Sequence, residues 1–501
     1  MNQKLLFARA YEKEAAQHIP DAARPIFHLT PYTGWMNDPN GFSFYDGKYH
    51  LFYQYNPYDT IWDEMHWGHA VSTDLLHWEF LPAALAPDEW YDDYGVFSGS
   101  AETLPDGRHI LLYTGVRKEG GERGTEFQTQ CVAIGDGTNY KKVRENPVID
   151  EKTLPDGFDR SNFRDPKIWK DKDGFRCVVG GCKKAANGEQ GTGALLQYRS
   201  DDGIHWTFES VLAENDGSIG LMWECPDYFE LDGKSVILIS PQDMLPKDFE
   251  YHNGNGTVAL IGTYDPQTKQ FHAEKDHTID YGIDFYAPTT LLAPDGRRIM
   301  IGWMQNWDTT KLSSQKDRKW FGQMSIPREL SIRNGRLYQT PVRELEQYRS
   351  GKVEYRNVRV DGEVRLDGVE GRTVELLIRV RPVAGEPLYH KFAVRFMQNE
   401  QFHTGMSYRP HESILRIDRK FSGSRRAYIH QRRTLVPARD GEITLRLILD
   451  RFSVEAFVND GEQAVTATVT TELSARGISF FADGAVEIDV TKYDLFAEEQ
   501  A

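Results

Sequence analysis

Asp46-Gly47-Lys48-Tyr49-His50-Leu51-Phe52-Tyr53-Gln54 joins a tight-turn dipeptide to an apolar, β-rich run, the strongest short-range signal for a hairpin. The same device returns at Asp106-Gly107 before RHILLYTG, at Asp173-Gly174 before FRCVVGG, at Asp232-Gly233 before KSVILIS and at Asp295-Gly296 before RRIMIGW. The five aspartates are spaced 60, 67, 59 and 63 residues apart. A second marker, SxDxxHWxF, spans Ser72 to Phe80 and Ser200 to Phe208, with looser relatives near Tyr140, Phe271 and Tyr338. Its aromatic positions 78, 140, 206, 271 and 338 are spaced 62, 66, 65 and 67. One series of Asp-Gly pairs would carry little, since the dipeptide is common. Two interleaved series with a shared step predict five units of about four strands each, a five-bladed β-propeller.

Eight positions before each turn aspartate stand Asp38, Ser98, Asp165, Glu224 and Ala287. In a propeller these positions open the innermost strands, so three carboxylates from blades one, three and four are expected to converge on the axis. Acidic clusters serve divalent metals or acid/base work at a sugar. No DxDxDG-type spacing favours metal. Aromatic residues near the inner positions (Trp35, Phe97, Trp169, Trp223, Tyr286 and Trp303, with Trp62 and Trp67 in a following loop) favour sugar. Each acid also has a plain reading: Asp38 in NDPNG and Asp165 before Pro166 suit turns. Glu224 sits between Trp223 and Cys225, company that raises a carboxyl pKa as a general acid requires. His66, His69 and His77 lack zinc-ligand spacing and read as structural. Trp78 and Trp206 read as packing between blades, and Cys225 as a small packing group.

From about residue 350 the period is lost, and some seven short alternating strands suggest an antiparallel β-sandwich. The expected division is a helical peripheral segment at 1–24, the propeller at 25–340, a linker helix at 341–352 and the sandwich at 353–501. Lys plus Arg number 59 against 75 Asp plus Glu, a net charge of −16, which disfavours nucleic acid and anionic membranes as partners. No apolar stretch approaches the roughly 20 residues needed to span a bilayer. The start of the chain lacks signal-peptide character, and Cys131, Cys177, Cys182 and Cys225 form no CxxC pair, which points to a reducing, cytoplasmic setting. Homo-oligomer formation is left open.

WMNDPNG (Trp35 to Gly41), FSGS (Phe97 to Ser100), FRDPK (Phe163 to Lys167) and WECPD (Trp223 to Asp227) together resemble glycoside hydrolase family 32. That family comprises the invertases and other β-fructofuranosidases, including bacterial sucrose-6-phosphate hydrolases. The resemblance spans nearly the whole chain and implies a five-bladed propeller followed by a β-sandwich. It implies Asp38 as nucleophile, Glu224 as general acid and then base, and Asp165 as transition-state stabiliser. Trp35, Met36, Asn37, Gln54, Trp62, Phe97, Ser98, Arg164, Tyr286 and Trp303 fall at or beside positions that line the fructose subsite. No metal or organic cofactor is implied. The expected reaction is hydrolysis, with retention, of the terminal β-fructofuranosyl linkage of sucrose, its 6-phosphate or short fructo-oligosaccharides. Two alternatives stand beside it: a fructosyltransferase of the same fold, and a carbohydrate-binding propeller without catalysis. An inverting arabinan-type glycosidase also uses three acids, but WMNDPNG argues against it.

Overall fold

The Asp-Gly turns lie where their period places them. In each of five four-membered ladders such a turn joins the innermost strand to the second, as at Tyr45–Lys48 and Leu231–Lys234. Asp46 and Gly47 both take positive φ, 47° and 75°, the left-handed pair that matches the twist of the flanking strands. The second marker joins third and fourth strands. In two blades it folds identically: Ser72 and Ser200 accept main-chain N–H groups of their own turns, while Asp74 and Asp202 accept the N–H and ring nitrogen of His77 and His205. The motif repeats because it is a self-contained hydrogen-bonded turn.

The chain is seen in a computed structural model that describes residues 3–120, 125–184, 190–310, 318–423, 429–437 and 439–497. The innermost strands of the five blades are Gly34–Tyr45, Gly95–Thr103, Phe158–Asp171, Trp223–Leu231 and Tyr286–Leu292. Apolar clusters fill the seams between successive blades. Trp206 belongs to the seam of blades two and three, and Trp78 packs against the seam of blades one and five. A two-residue strand, Trp320–Phe321, pairs in parallel with Gly34 and Trp35 and closes the ring.

Blade five ends at Pro341. A 3₁₀ turn, Arg343–Tyr348, leads into a ten-stranded antiparallel assembly, more than the seven strands expected. The difference lies in Arg349–Val364, a charged strand without clean alternation, and in the short flanking strands Thr404–Arg409 and Gln431–Leu435. The 19-residue strand Gly477–Leu495 pairs along one edge with both Lys391–Gln398 and Val374–Pro382 and so belongs to both halves of the sandwich. Side chains from both halves meet in one core.

The amino-terminal helix, Gln3–Ala16, forms as expected and lies against the outer strand of blade one. Leu5, Ala8 and Glu12 are buried. Arg9 Nε donates to the Ala83 carbonyl (2.8 Å) and Glu12 Oε1 accepts the Ala83 N–H (2.9 Å), so the helix satisfies both main-chain groups of one residue on the outer strand of blade one. Residues 1–2 and 498–501 of the segments delimited above lie outside the described residues.

Candidate active site

Every innermost strand carries a bulge near its start. Pairing with the second strand jumps between Met36 and Pro39, Phe97 and Gly99, Glu224 and Asp227, and Tyr286 and Thr289; in blade three Arg164 pairs with Gly180 but Lys167 with Val178. Bulges re-aim side chains. The first bulged residue of blades three, four and five takes positive φ: Asp165 66°, Cys225 48° and Ala287 49°. This corrects the count of eight residues from the turn. Asp165, Cys225 and Ala287 share one level of the ring, and Glu224 shares the next with Arg164 and Tyr286. The count slips because the stretch from the proline to the turn aspartate is one residue shorter in blade four, Pro226 to Asp232, than in blade three, Pro166 to Asp173.

Because Arg164, Glu224 and Tyr286 stand at one level on adjacent blades, they link around the axis. Glu224 Oε1 accepts Arg164 Nε (3.1 Å) and Nη2 (2.9 Å), and Glu224 Oε2 lies 2.7 Å from the Tyr286 hydroxyl. Arg164 is itself held by Gln128 and Asn162. At the other level Ser98 Oγ donates to Asp38 Oδ2 (2.9 Å), and the Cys225 N–H donates to Asp165 Oδ2 (3.0 Å). The Cys225 sulfur lies 3.5 Å from Asp38 Oδ2 and 3.6 Å from Asp165 Oδ2, so a single thiol touches two of the three acids. Asp38 Oδ1 is buried and has no hydrogen-bond partner among the described residues.

Burial, followed by repulsion from Glu224, raises the Asp38 carboxyl to about 6, against the bonds from Ser98, Asn37 and Cys225. Burial also raises Asp165; Arg164 opposes that shift, while Glu224 and Asp38 add to it. Desolvation alone lowers the pKa of Arg164, but Glu224 and Asp165 more than compensate, so the guanidinium stays charged. Burial and the neighbouring carboxylates push the Cys225 thiol well up, which keeps its proton on sulfur as a donor.

The remaining expected residues divide into two groups. Trp35 donates its indole N–H to Asn37 (2.7 Å) and stacks on Phe321 at 4.6 Å; with Tyr286 and Trp303 it forms an aromatic cluster against which Phe97 and Cys225 pack. Trp62, 37% exposed, meets Phe97 edge-on at the rim, and Gln54 ties blade one to blade two through the Val96 carbonyl. Met36 does not join them. It is fully buried in the seam of blades one and five, on the opposite side of a strand whose side chains alternate, and is set aside as a sugar contact. Trp169 and Trp223 likewise belong to the seam of blades three and four, while Trp67 lies within the third strand of blade one, not in a loop. Sequence reasoning undervalued Cys225 and missed Thr114, whose hydroxyl accepts the Asp165 N–H (2.9 Å). The proline after Cys225, matching those after Asp165 and Ala287, was the available signal. His66, His69 and His77 each have separate partners: the Glu64 carbonyl, His50 and Asp74.

A β-propeller holding three carboxylates in an aromatic-walled pocket has the architecture of a glycoside-cleaving enzyme. Residues 28–341 match the glycosyl hydrolases family 32 N-terminal domain, and residues 344–495 match the family 32 C-terminal domain. The chain is 34% identical to the raffinose invertase of Escherichia coli, covering 96% of this chain and 97% of that protein. It is also 34% identical to an Escherichia coli sucrose-6-phosphate hydrolase, with 93% of each covered. Among solved structures, the Bombyx mori GH32 β-fructofuranosidase superposes with a TM-score of 0.82 at 34% identity, covering 98% of this chain and 97% of that one. A mutant of that enzyme in complex with sucrose superposes at 0.83 with 33% identity over 99% of each chain. The chain belongs to glycosyl hydrolases family 32.

Proposed function

We propose that this protein is a retaining β-fructofuranosidase acting on sucrose and related short oligosaccharides. The observation that carries the reading is the free oxygen of Asp38. One oxygen is fixed by Ser98 while the other is buried and unpartnered beside two further acids. In the first step Asp38 Oδ1 attacks the anomeric carbon of the fructosyl group. The bond to the leaving oxygen breaks, and that oxygen takes the proton of Glu224. Arg164 then neutralises the Glu224 carboxylate that remains, and Tyr286 holds its orientation. In the second step Glu224 takes a proton from water as the water oxygen attacks the same carbon, and the bond to Asp38 breaks. Two inversions give net retention. Asp165, anchored by Cys225, binds fructose hydroxyls and stabilises the positive charge that develops.

Two of the relatives named above are a raffinose invertase and a sucrose-6-phosphate hydrolase, and a third was solved as a mutant in complex with sucrose, which supports this substrate class. The four free cysteines fit action in the reducing cytoplasm. The division near residues 341–352 is proposed to separate the catalytic propeller from a sandwich that braces it. Glu224→Ala tests the scheme. Sucrose turnover is expected to fall at least a thousandfold, and an aryl fructoside, whose leaving group needs no proton, far less. Equal losses on both substrates would refute the acid role. Anomeric inversion, seen by NMR of fresh product, would refute the scheme as a whole.

A further inference from the structure

The pocket shares Trp35 and Trp62 with a cavity of about 980 Å³, at the upper end of the roughly 300–1,000 Å³ typical of ligand sites. The far wall of that cavity is the amino-terminal helix. Leu5, Ala8 and Glu12 turn one face to blade one, while Tyr11, Glu14, Ala15 and, in the turn that follows, His18 line the cavity. These are positions i, i+3, i+4 and i+7 of a single helical face. The helix is held firmly by its clamp on Ala83, and a second tie joins the Tyr11 hydroxyl to the Tyr58 carbonyl (3.3 Å). Tyr11 also meets the Tyr58 ring edge-on at 5.1 Å. Tyr11 and Trp62, 36% and 37% exposed, therefore present aromatic surface at the mouth of the cavity, with Glu14 and His18 beside them. Aromatic faces with a carboxylate and an imidazole alongside suit a neutral sugar ring, which offers C–H faces for stacking and hydroxyls for bonding.

We infer that the amino-terminal helix builds a leaving-group subsite: a neutral sugar unit beyond the one bonded to the fructosyl group rests on Tyr11, Tyr58 and Trp62 and is hydrogen-bonded by Glu14 and His18. The inference rests on the fructofuranosidase reading and extends it to the size of the leaving group. It makes a trisaccharide whose extra unit lies on the leaving side, such as raffinose, a productive substrate.

The test is kcat/KM for methyl β-fructofuranoside, sucrose and raffinose with the intact protein and with Tyr11→Ala, His18→Ala and, as a control on another helix face, Lys13→Ala. The raffinose-to-sucrose ratio is expected to fall roughly fivefold in the first two variants, the weight of about one hydrogen bond or stacking contact, and to hold in the third. His18→Ala keeps the test sound should Tyr11→Ala fold poorly. Equal losses on all three substrates, or an unaltered raffinose-to-sucrose ratio, would overturn the subsite. Failure of the unsubstituted protein to release fructose from sucrose would instead overturn the underlying function.

Discussion

Asp38 is pulled in two directions. The proposed chemistry needs it ionised, yet burial and Glu224 make ionisation costly and raise its pKa from 3.8 to about 6. The carboxyl thus binds its proton more tightly in the folded protein than in the unfolded chain. Its contribution to stability is fully present below about pH 3.8 and is lost as pH rises through about 6. At neutral pH the charged side chain therefore works against folding by on the order of 3 kcal/mol. Asp38→Asn should abolish turnover and, at pH 7, raise the melting temperature by several degrees in calorimetry, with the gain vanishing near pH 4. A lower melting temperature at pH 7 would contradict the assigned environment. By the same reasoning, kcat/KM for sucrose should climb with pH through about 6, and a profile flat from pH 4.5 to 7 would show that Asp38 does not gate the reaction.

The bulged innermost strand is the element that builds the site, and it was half legible. Turn chemistry announced itself because an Asp-Gly pair supplies a left-handed conformation that few other pairs tolerate. A bulge has no such signature. It left only the proline following Asp165, Cys225 and Ala287, so the blade-four register was misread by one place and Cys225 was undervalued. Met36 was drawn in by a motif that runs along the strand, although neighbouring side chains point to opposite faces. The closing strand shows how tight these elements are. Gly322, at φ 90°, follows Phe321, and a Cβ there would lie 2.2 Å from the Met36 carbonyl oxygen and 3.1 Å from Trp303 Nε1. Gly322→Ala should cost about 2–4 kcal/mol in urea denaturation and weaken sucrose binding, because the closing strand and Trp303 must both shift. A cost below about 0.5 kcal/mol would mean the strand yields freely.

Across the whole molecule, the sandwich is welded to the propeller by charge. Arg328 of blade five, fully buried, donates to Asp280 (2.9 Å) and to Glu455 and Thr466 of the sandwich. His28, ahead of blade one, bonds Asp450 (2.8 Å) and Glu455 (2.9 Å); burial opposes its charge, but the two carboxylates prevail and raise it to about 9. None of these contacts was readable from sequence, since partners 48 to 427 positions apart show no local pattern. Arg328→Met should cost about 3–5 kcal/mol, because Glu455 and Asp280 stay buried without their partner. Arg328→Met with Glu455→Gln should recover part of that loss. Loss of cooperativity into two thermal transitions would place the damage at the joint, whereas an unaltered melting curve would remove the weld from consideration.

The two-residue strand that seals the ring carries a consequence for synthesis. Its partner, Gly34 and Trp35, emerges from the ribosome early, whereas Trp320 and Phe321 appear only when the fifth blade is nearly translated. Until then the nascent chain is an open arc with an unpaired inner edge, which invites association with another chain. Premature termination between residues 225 and 320 therefore yields a sticky fragment without enzymatic power, even though all three acids have already been made.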